Sequence, residues 1–238
     1  MEAVISAGLQ ALGLTWQVPQ DAPAKLAQYG RLLLEKNQVM NLTAIREPEK
    51  VARLHMLDCA ALLKFCDFQN KTLIDVGTGA GFPGMVLKLL VPSLDVTLLD
   101  SLNKRLDWLI QISQQLDGAA NLTAVHARAE EQALEKGWRN SFDFAAARAV
   151  ADLRVLCELC LPYVKVGGYF LSMKSTGSDQ ELAEADHAIR LLGGRISEIQ
   201  DYLIPGTDIT HRLVIIQKMA PTLKEYPRRW SKIQKEPL

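Results

Sequence analysis

The stretch Thr72-Leu73-Ile74-Asp75-Val76-Gly77-Thr78-Gly79-Ala80-Gly81-Phe82-Pro83-Gly84 decides the fold of this chain. Its first five residues form a short apolar run typical of a buried strand, and its glycines let the backbone turn sharply where a Cβ would collide with a neighbour. Pro83 suits the first turn of a helix, where the N–H groups have no partner within the helix. The stretch therefore predicts a strand, a glycine-rich loop and a helix, which is the setting of a nucleotide-binding loop.

Four more short apolar runs follow the glycine loop, and helix-length amphipathic stretches separate them. Strands and helices that alternate in this way predict a parallel α/β sheet with right-handed crossovers. The alternation stops near residue 193, and two strands joined by a short loop around Pro205-Gly206 must then pair antiparallel. We expect a five-unit parallel sheet closed by an antiparallel strand pair. The predicted strands cover 72–76, 96–100, 122–125, 142–146, 169–173, 196–204 and 212–216, and the predicted helices 83–91, 103–116, 128–136, 151–163 and 178–192.

The first 70 residues have a helical pattern instead. Leu26, Tyr29 and Leu33 recur at helical spacing, and Pro23 and Pro48 lie where helices would begin. The length of 238 residues fits one large domain or one domain with an appendage. We expect an N-terminal helical extension over 1–70, a catalytic α/β domain over 71–219 and a basic C-terminal tail over 220–238.

The charge of the chain is balanced overall but uneven along its length. It contains 27 Lys plus Arg and 27 Asp plus Glu, which argues against a uniformly basic nucleic-acid-binding surface. Residues 212–238, however, carry seven basic and two acidic residues, a net charge of +5, so the remaining body is acidic. The positive end favours contact with a polyanion.

Compartment and cysteine use point to an ordinary cytosolic protein. No stretch is apolar enough to span a membrane and no secretory signal precedes the first helix, so we expect a cytoplasmic protein without a membrane partner. Of the four cysteines, Cys157-x-x-Cys160 has the spacing of half a zinc site, but the second half is absent. We therefore expect buried thiols and no metal.

The glycine loop matches two cofactor patterns. Gly79-x-Gly81-x-x-Gly84 matches the dinucleotide fingerprint, which places a pyrophosphate at a helix N-terminus. Asp75-x-Gly77-x-Gly79-x-Gly81 matches the acid-led loop of S-adenosylmethionine sites. An acid at the strand tip would repel a pyrophosphate but would suit the methionine ammonium group, so the methyl donor fits better.

Two further acidic residues follow the next strands. Asp100 ends the second strand, where a carboxylate can accept hydrogen bonds from both ribose hydroxyls, although this holds for either cofactor. After the third strand, the backbone of Ala129 and the carboxylate of Glu130 lie where such folds contact adenine. The alternative for Glu130 is a helix-start residue without a ligand.

Blocks along nearly the whole chain resemble one bacterial family, RsmG, also called GidB or glucose-inhibited division protein B. The resemblance implies a Rossmann-like class I methyltransferase that uses S-adenosylmethionine to methylate N7 of a guanine in 16S ribosomal RNA. The matching blocks are Asn41–Arg46, His55–Asp58, Asp75–Gly84, Leu99–Arg105, Arg128–Glu130, Ala147-Arg148-Ala149-Val150-Ala151, Lys174 and His211–Val214.

The resemblance also implies roles for individual residues. Gly77, Phe82, Ala129, Glu130 and Arg148 become cofactor contacts, together with Asp75, Gly79 and Asp100 from the loop analysis. Guanine N7 has a lone pair and no proton to lose, so the reaction requires proximity and alignment but no general base. Arg148 and Lys174 are the predicted catalytic residues, as donors that hold guanine O6 or a phosphate.

The expected partner is 16S rRNA, the small ribosomal subunit or its precursor, and we expect a monomer. Each basic residue alone could equally be a solvated surface charge, and His55 and Asp58 are interpreted as a structural pair before a catalytic one. Three alternatives remain: a methyltransferase of a small molecule or protein, a nicotinamide dehydrogenase, and an RNA-binding factor with a vestigial pocket. The predicted RNA contacts are Arg46, Arg53, Lys174, Arg212, Arg228 and Arg229.

Overall fold

A computed structural model describes residues 1–118, 120–148 and 151–238. Ala149 and Val150 of the block after the fourth predicted strand lie outside the described residues. Within these ranges the chain begins with helices that pack on a seven-stranded sheet. The N-terminal helices are α1 (Glu2–Ala11), α2 (Ala22–Lys36), α3 (Pro48–Val51), a π-helical turn (Ala52–Leu57), α4 (Asp58–Ala60) and a 3₁₀ turn (Ala61–Lys64).

The sheet and its crossover helices follow. The strands are β1 (Thr72–Val76), β2 (Asp95–Asp100), β3 (Leu122–His126), β4 (Phe142–Arg148), β5 (Val164–Ser175), β6 (Gly194–Leu203) and β7 (Thr210–Lys218). The remaining helices are α5 (Gly84–Leu90), α6 (Asn103–Gln115), α7 (Ala129–Gln132), α8 (Leu153–Cys160), α9 (Asp179–Leu191) and α10 (Trp230–Lys235), with a 3₁₀ turn at Leu161–Tyr163.

The strand order is β3-β2-β1-β4-β5-β7-β6. The first five strands pair in parallel, whereas β7 pairs antiparallel with both β5 and β6. The predicted parallel sheet with an antiparallel closing pair is therefore confirmed. Because the order reverses between β1 and β4, the carboxyl ends of these strands border the crevice in which α/β folds bind ligands.

Two hydrophobic clusters cover the two faces of the sheet. Leu73 belongs to one cluster and its neighbours Ile74 and Val76 to the other, as alternation along a strand requires. The first cluster includes side chains of α1 and α2 together with α5, α6 and the sheet. The N-terminal helices thus share a core with the sheet, while the domain boundaries given above stay a prediction.

The four cysteines are free thiols. Cys59, Cys157 and Cys160 are buried free thiols, and Cys66 is half-buried. Across the described residues no group of three or more His, Cys, Asp or Glu side chains is arranged to hold a metal ion. No described helix is both long and apolar enough to cross a bilayer.

Tyr29 joins the N-terminal helices to the glycine loop. Its side chain is fully buried, and its hydroxyl donates a hydrogen bond to the carbonyl oxygen of Ala80. The ring packs at 5.6 Å from the ring of Phe82 and 6.2 Å from that of Trp108. Helix α2 therefore supports the loop directly.

Replacing Tyr29 with Phe tests this support. The substitution keeps the ring contacts and leaves the carbonyl of Ala80 without its buried donor, which costs about 1–3 kcal/mol. For a chain of this length we expect the melting temperature to fall by roughly 3–10 °C, measured by circular dichroism. Unchanged melting would show that the hydrogen bond contributes no stability.

Candidate active site

The glycine loop runs from the end of β1 to the start of α5. Gly77, Gly79 and Gly81 have φ angles of +71°, +57° and +91°, in the left-handed region that favours glycine. The backbone N–H groups of Gly77 and Thr78 donate to the carbonyl of Leu99, which fixes the loop against β2. The loop is thus held in one conformation at the edge where the strand order reverses.

Asp75 lies beneath the loop. Its Oδ2 atom accepts hydrogen bonds from Thr78 Oγ1 at 2.6 Å and from the backbone N–H of Gly84 at 2.8 Å. Its Oδ1 atom is buried and has no hydrogen-bond partner among the described residues. The side chain is inaccessible and lines neither of the clefts described below, so the structure shows it as a brace of the loop. Its predicted contact with the methionine ammonium stays a prediction.

Burial raises the pKa of Asp75 from its ordinary value of 3.8 to about 6, against the opposing hydrogen bonds from Thr78 and Gly84. Well below its ordinary pKa of 3.8 the carboxyl is protonated in both the folded and the unfolded chain, so ionisation costs nothing. Above about pH 6 the folded protein must hold a buried charge, and stability falls by up to about 3 kcal/mol between these limits.

Asp75→Asn should remove this penalty while its amide oxygen still accepts from Thr78 and Gly84. We expect the free energy of unfolding of the variant, relative to wild type, to rise between pH 4 and pH 7 by up to about 3 kcal/mol. Urea unfolding at the two pH values measures the difference, and other titrating groups cancel because both proteins contain them. A difference that does not change with pH would contradict the buried ionisation.

Four predicted cofactor contacts line one cleft of about 310 Å³ beside the loop: Gly77, Asp100, Ala129 and Glu130. Asp100 accepts the backbone N–H of Gly79 at Oδ2 and that of Leu102 at Oδ1, both at 2.9 Å, and its Oδ2 also lies 3.5 Å from a nitrogen of Arg105. Ala129 begins α7, so its N–H lacks a partner within the helix. Two buried carboxylates and an N–H in the first turn of a helix suit ribose hydroxyls and an adenine edge.

A larger pocket of about 780 Å³ adjoins this cleft, and Ala151 lines both. Arg148 and Lys174, the two predicted catalytic residues, lie on its wall. Side chains from the π-helical turn and from β7 complete it, including His55 and His211. The structure therefore places Arg148 and Lys174 in one cleft and four of the predicted cofactor contacts in its neighbour, whereas Asp75, Gly79 and Phe82 line neither.

Arg148 is fixed on several sides at the end of β4. Its guanidinium carbon lies 4.6 Å from the centre of the Phe82 ring, in a cation–π arrangement. One nitrogen lies 3.1 Å from His55 Nδ1, and the other lies 3.4 Å from Asp58 Oδ2 and 3.2 Å from the carbonyl of Leu54. Phe82 is 5% exposed and thus acts as a support for Arg148.

His55 and Asp58 each contact Arg148, from within and just after the π-helical turn. His55 stacks on Phe82 at 4.6 Å, and its Nε2 lies 2.8 Å from Thr43 Oγ1. Burial, reinforced by the positive charge of Arg148, lowers the pKa of His55 to about 4. The ring is therefore neutral at pH 7, and its Nδ1 can accept from Arg148.

Asp58 is the centre of a buried hydrogen-bond network. Its Oδ1 accepts from the hydroxyl of Tyr202 at 2.8 Å and pairs with Nδ1 of His211 at 2.9 Å. This hydrogen bond to Asp58 raises the pKa of His211, which favours the protonated ring. Together with Arg148, the network joins the N-terminal helices to β4, β6 and β7.

Lys174 occupies the opposite side of the pocket. Its ammonium group donates to the carbonyl of Ala151 at 2.7 Å and to Glu181 Oε1 at 2.6 Å. The side chain is 9% exposed. Lys174 therefore helps to shape the rim that the two clefts share.

The predicted RNA contacts fall into separate groups. Arg46 and Arg229 are exposed. Arg53 donates to the carbonyl of Pro205 at 3.2 Å and ties the π-helical turn to the β6–β7 hairpin. Contact of Arg46, Arg53 and Arg229 with RNA stays a prediction.

Two of the residues predicted to contact RNA, Arg212 and Arg228, form ion pairs within the protein. Arg212 donates to Asp201 at 2.6 and 2.9 Å and also to Asp179, and these hydrogen bonds raise its pKa further. Arg228 forms a bidentate ion pair with Glu158, whose side chain is completely buried. The structure thus gives both arginines structural partners, and their contact with RNA stays a prediction.

Sequence reasoning missed Tyr202 and Trp230. Tyr202 lies directly opposite His211 in the β6–β7 pairing, so a correctly registered hairpin would have placed both beside Asp58. Trp230 lines the smaller cleft from the C-terminal segment, 100 residues away from Glu130. No local pattern indicates that contact.

A glycine loop after β1, carboxylates after β2 and β3 and an antiparallel last strand define a Rossmann-like class I methyltransferase. Solved structures share the fold. An S-adenosylmethionine-dependent O-methyltransferase of Thermotoga maritima matches with a TM-score of 0.54 and 16% identity, covering 80% of this chain and 72% of that one. The geranyl diphosphate C-methyltransferase of Streptomyces coelicolor matches with a TM-score of 0.53 and 13% identity, covering 77% and 88%.

Comparison of sequences identifies the family, which the shared fold does not. The GidB family, described as rRNA small subunit methyltransferase G, matches residues 22–207. Ribosomal RNA small subunit methyltransferase G of Alkaliphilus metalliredigens is 44% identical over 236 residues, 99% of this chain and 98% of its own length. The protein of the same description from Lachnoclostridium phytofermentans is 45% identical over 232 residues, 97% and 95% of the two chains. The chain belongs to the GidB family, as its motifs predicted.

Proposed function

We propose that this protein transfers a methyl group to N7 of one guanine in 16S rRNA, within the small ribosomal subunit or its precursor. The family description supplies the coarser statement, a methyltransferase of small-subunit rRNA. The observation that carries the N7 assignment is the state of the ionisable groups around the larger pocket. Arg148 and Lys174 present hydrogen-bond donors there, while the side chains that could accept a proton are already engaged by neighbouring residues.

The cofactor is S-adenosylmethionine, as the sequence predicts. The family is a methyltransferase family, and a solved relative in fold from Streptomyces coelicolor holds S-adenosylhomocysteine. Bound in the smaller cleft, S-adenosylmethionine supplies a methyl group activated by a positively charged sulfur. Glu130 and the N–H of Ala129 would hold the adenine, and Asp100 the ribose.

The side chains of the larger pocket that could act as general bases already contact neighbouring residues. Among the described residues that line it, Asp58 accepts from His211, and Glu181 accepts from Lys174 and from the backbone N–H of Leu153. The depressed pKa of His55, about 4, makes it a weak base, and its Nδ1 faces Arg148. Such a pocket suits an acceptor that has no proton to lose, and guanine N7 is one.

In the proposed reaction the lone pair of N7 forms the new bond to the methyl carbon as the bond from carbon to sulfur breaks. Positive charge moves from sulfur to the purine, and no proton is transferred. Arg148 can donate to guanine O6, which lies next to N7 on the same edge of the base. Its planar fork and its support by Phe82 would align the base, and proximity accounts for much of the expected acceleration.

The experiment uses transcripts of 16S rRNA and methyl-labelled S-adenosylmethionine. One transcript contains guanosine, and the matched transcript contains 7-deazaguanosine, which lacks the acceptor nitrogen. We expect the label in a single 7-methylguanosine, identified by mass spectrometry after digestion, and no label in the 7-deaza transcript.

Assembled small subunits serve as a second substrate in parallel. Transfer to the 7-deaza transcript would overturn the N7 assignment. Label in neither naked RNA nor subunits, with transfer to a small molecule or a protein instead, would overturn the RNA substrate.

A further inference from the structure

The C-terminal segment forms part of the smaller cleft. Trp230, the first residue of α10, lies on the cleft wall together with Ala129 and Glu130. The guanidinium carbon of Arg128 lies 5.1 Å from the centre of the indole ring, and its Nε donates to Glu130 Oε1 at 2.8 Å. A chain of contacts thus runs from the predicted adenine-binding carboxylate to a side chain of the tail.

The tail is docked on the body before it reaches the cleft. Arg139 donates to the carbonyl oxygens of Tyr226, Thr222 and Leu223 at 2.7, 2.9 and 3.2 Å. These contacts hold the start of the segment. The side chain of Ile233, further along in α10, is completely buried.

An ion pair fixes the position of Trp230. Two residues before it, Arg228 binds Glu158 through Nε at 2.9 Å, through a terminal nitrogen at 2.6 Å and through its backbone N–H at 2.7 Å. Glu158 belongs to α8, and its neighbours Leu156 and Leu159 line the same cleft. The helix that borders the cleft therefore also anchors the tail.

We propose that Trp230 is an aromatic wall of the cofactor site and that docking of the tail is coupled to cofactor binding. Aromatic surfaces contribute to the binding of nucleobases, and the adenine-binding residues predicted for this cleft lie beside the indole. Because the coupling is reciprocal, a docked tail strengthens cofactor binding and bound cofactor strengthens docking of the tail. The proposal rests on the cofactor assignment and not on the identity of the methyl acceptor.

Calorimetry with S-adenosylhomocysteine tests whether Trp230 forms a wall of the cofactor site. We expect Trp230→Ala to raise the dissociation constant about tenfold and Trp230→Phe to raise it by less than about threefold. Trp16→Ala is the matched control, because that indole is 97% exposed and lies outside the cleft. Equal affinity of Trp230→Ala and wild type would overturn the proposal. Wild-type protein that fails to bind S-adenosylhomocysteine would overturn the cofactor assignment instead.

Limited trypsin digestion of the wild-type protein tests the coupling without any substitution. Arg229 and Lys232 are exposed cleavage sites on either side of Trp230. We expect saturating S-adenosylhomocysteine to slow cleavage at these two sites several-fold, while cleavage after the exposed Arg46 changes little. Unchanged cleavage of the tail would contradict the coupling.

Discussion

Replacing Arg148 with Ala should reduce kcat about 100- to 1,000-fold while the protein remains folded. A loss of this size is typical when an enzyme loses one fixed hydrogen-bond donor at its reacting centre, the role proposed for Arg148. The fold should survive because the partners of Arg148 keep other contacts: Asp58 retains Tyr202 and His211, and His55 retains Thr43. Transfer of labelled methyl to rRNA measures kcat, and circular dichroism checks the fold.

Arg148→Lys is the matched control for charge. A lysine keeps the positive charge but loses the planar fork that lies over Phe82 and reaches two partners at once. We expect it to recover only part of the lost activity, roughly tenfold over Arg148→Ala. Full activity in either variant would contradict the role of Arg148 in aligning the base.

Gly84→Ala should disable the cofactor site through sterics alone. A Cβ at this position would lie 2.7 Å from Leu98 Cδ2 and 2.8 Å from Asp75 Oδ2. Helix α5 would have to move away from the sheet and would lose the hydrogen bond from the Gly84 N–H to Asp75. We expect a loss of about 3 kcal/mol in the free energy of unfolding. Because the glycine loop shifts with the helix, S-adenosylhomocysteine should bind at least about 30-fold more weakly.

Gly177→Ala is the matched control, because among the described residues a Cβ there would meet no atom within 4 Å apart from those of its chain neighbours. The two substitutions add the same methyl group, so their difference isolates the crowding beneath the loop. Urea unfolding and calorimetry measure the two effects. If Gly84→Ala behaved like Gly177→Ala in both measurements, the close packing between α5 and β1 would not be required.

The sheet was predictable because its strands are short apolar runs separated by turn residues. The prediction for β1 reproduces Thr72–Val76, and the closing hairpin follows from a loop too short for a crossover. The prediction for β5 began at Tyr169, whereas the strand begins at Val164. Gly167 and Gly168 weaken the local strand signal there, but Val164 still pairs with Phe142 across a register shift.

The cleft was predictable where its lining comes from backbone turns and strand ends. Gly77, Asp100, Ala129 and Glu130 do meet in one cleft, because parallel strands bring their carboxyl ends to one edge. The network around Asp58 could not be predicted from the sequence, because Asp58 is 144 positions from Tyr202 and 153 positions from His211. Such contacts arise only when the N-terminal helices pack on the closing hairpin.

The π-helical turn Ala52–Leu57 makes the count of residues as important as their identity. A π turn contains one residue more than an α-helical path between the same two points, and it is equivalent to an insertion within a helix. The π turn therefore absorbs the extra residue, whereas the same residues wound as a regular α-helix would carry Asp58 about 100° further round the helix axis. Its carboxylate would then leave Arg148 and His211. The wider turn, and not only the identity of its residues, thus determines where Asp58 meets Arg148 and His211.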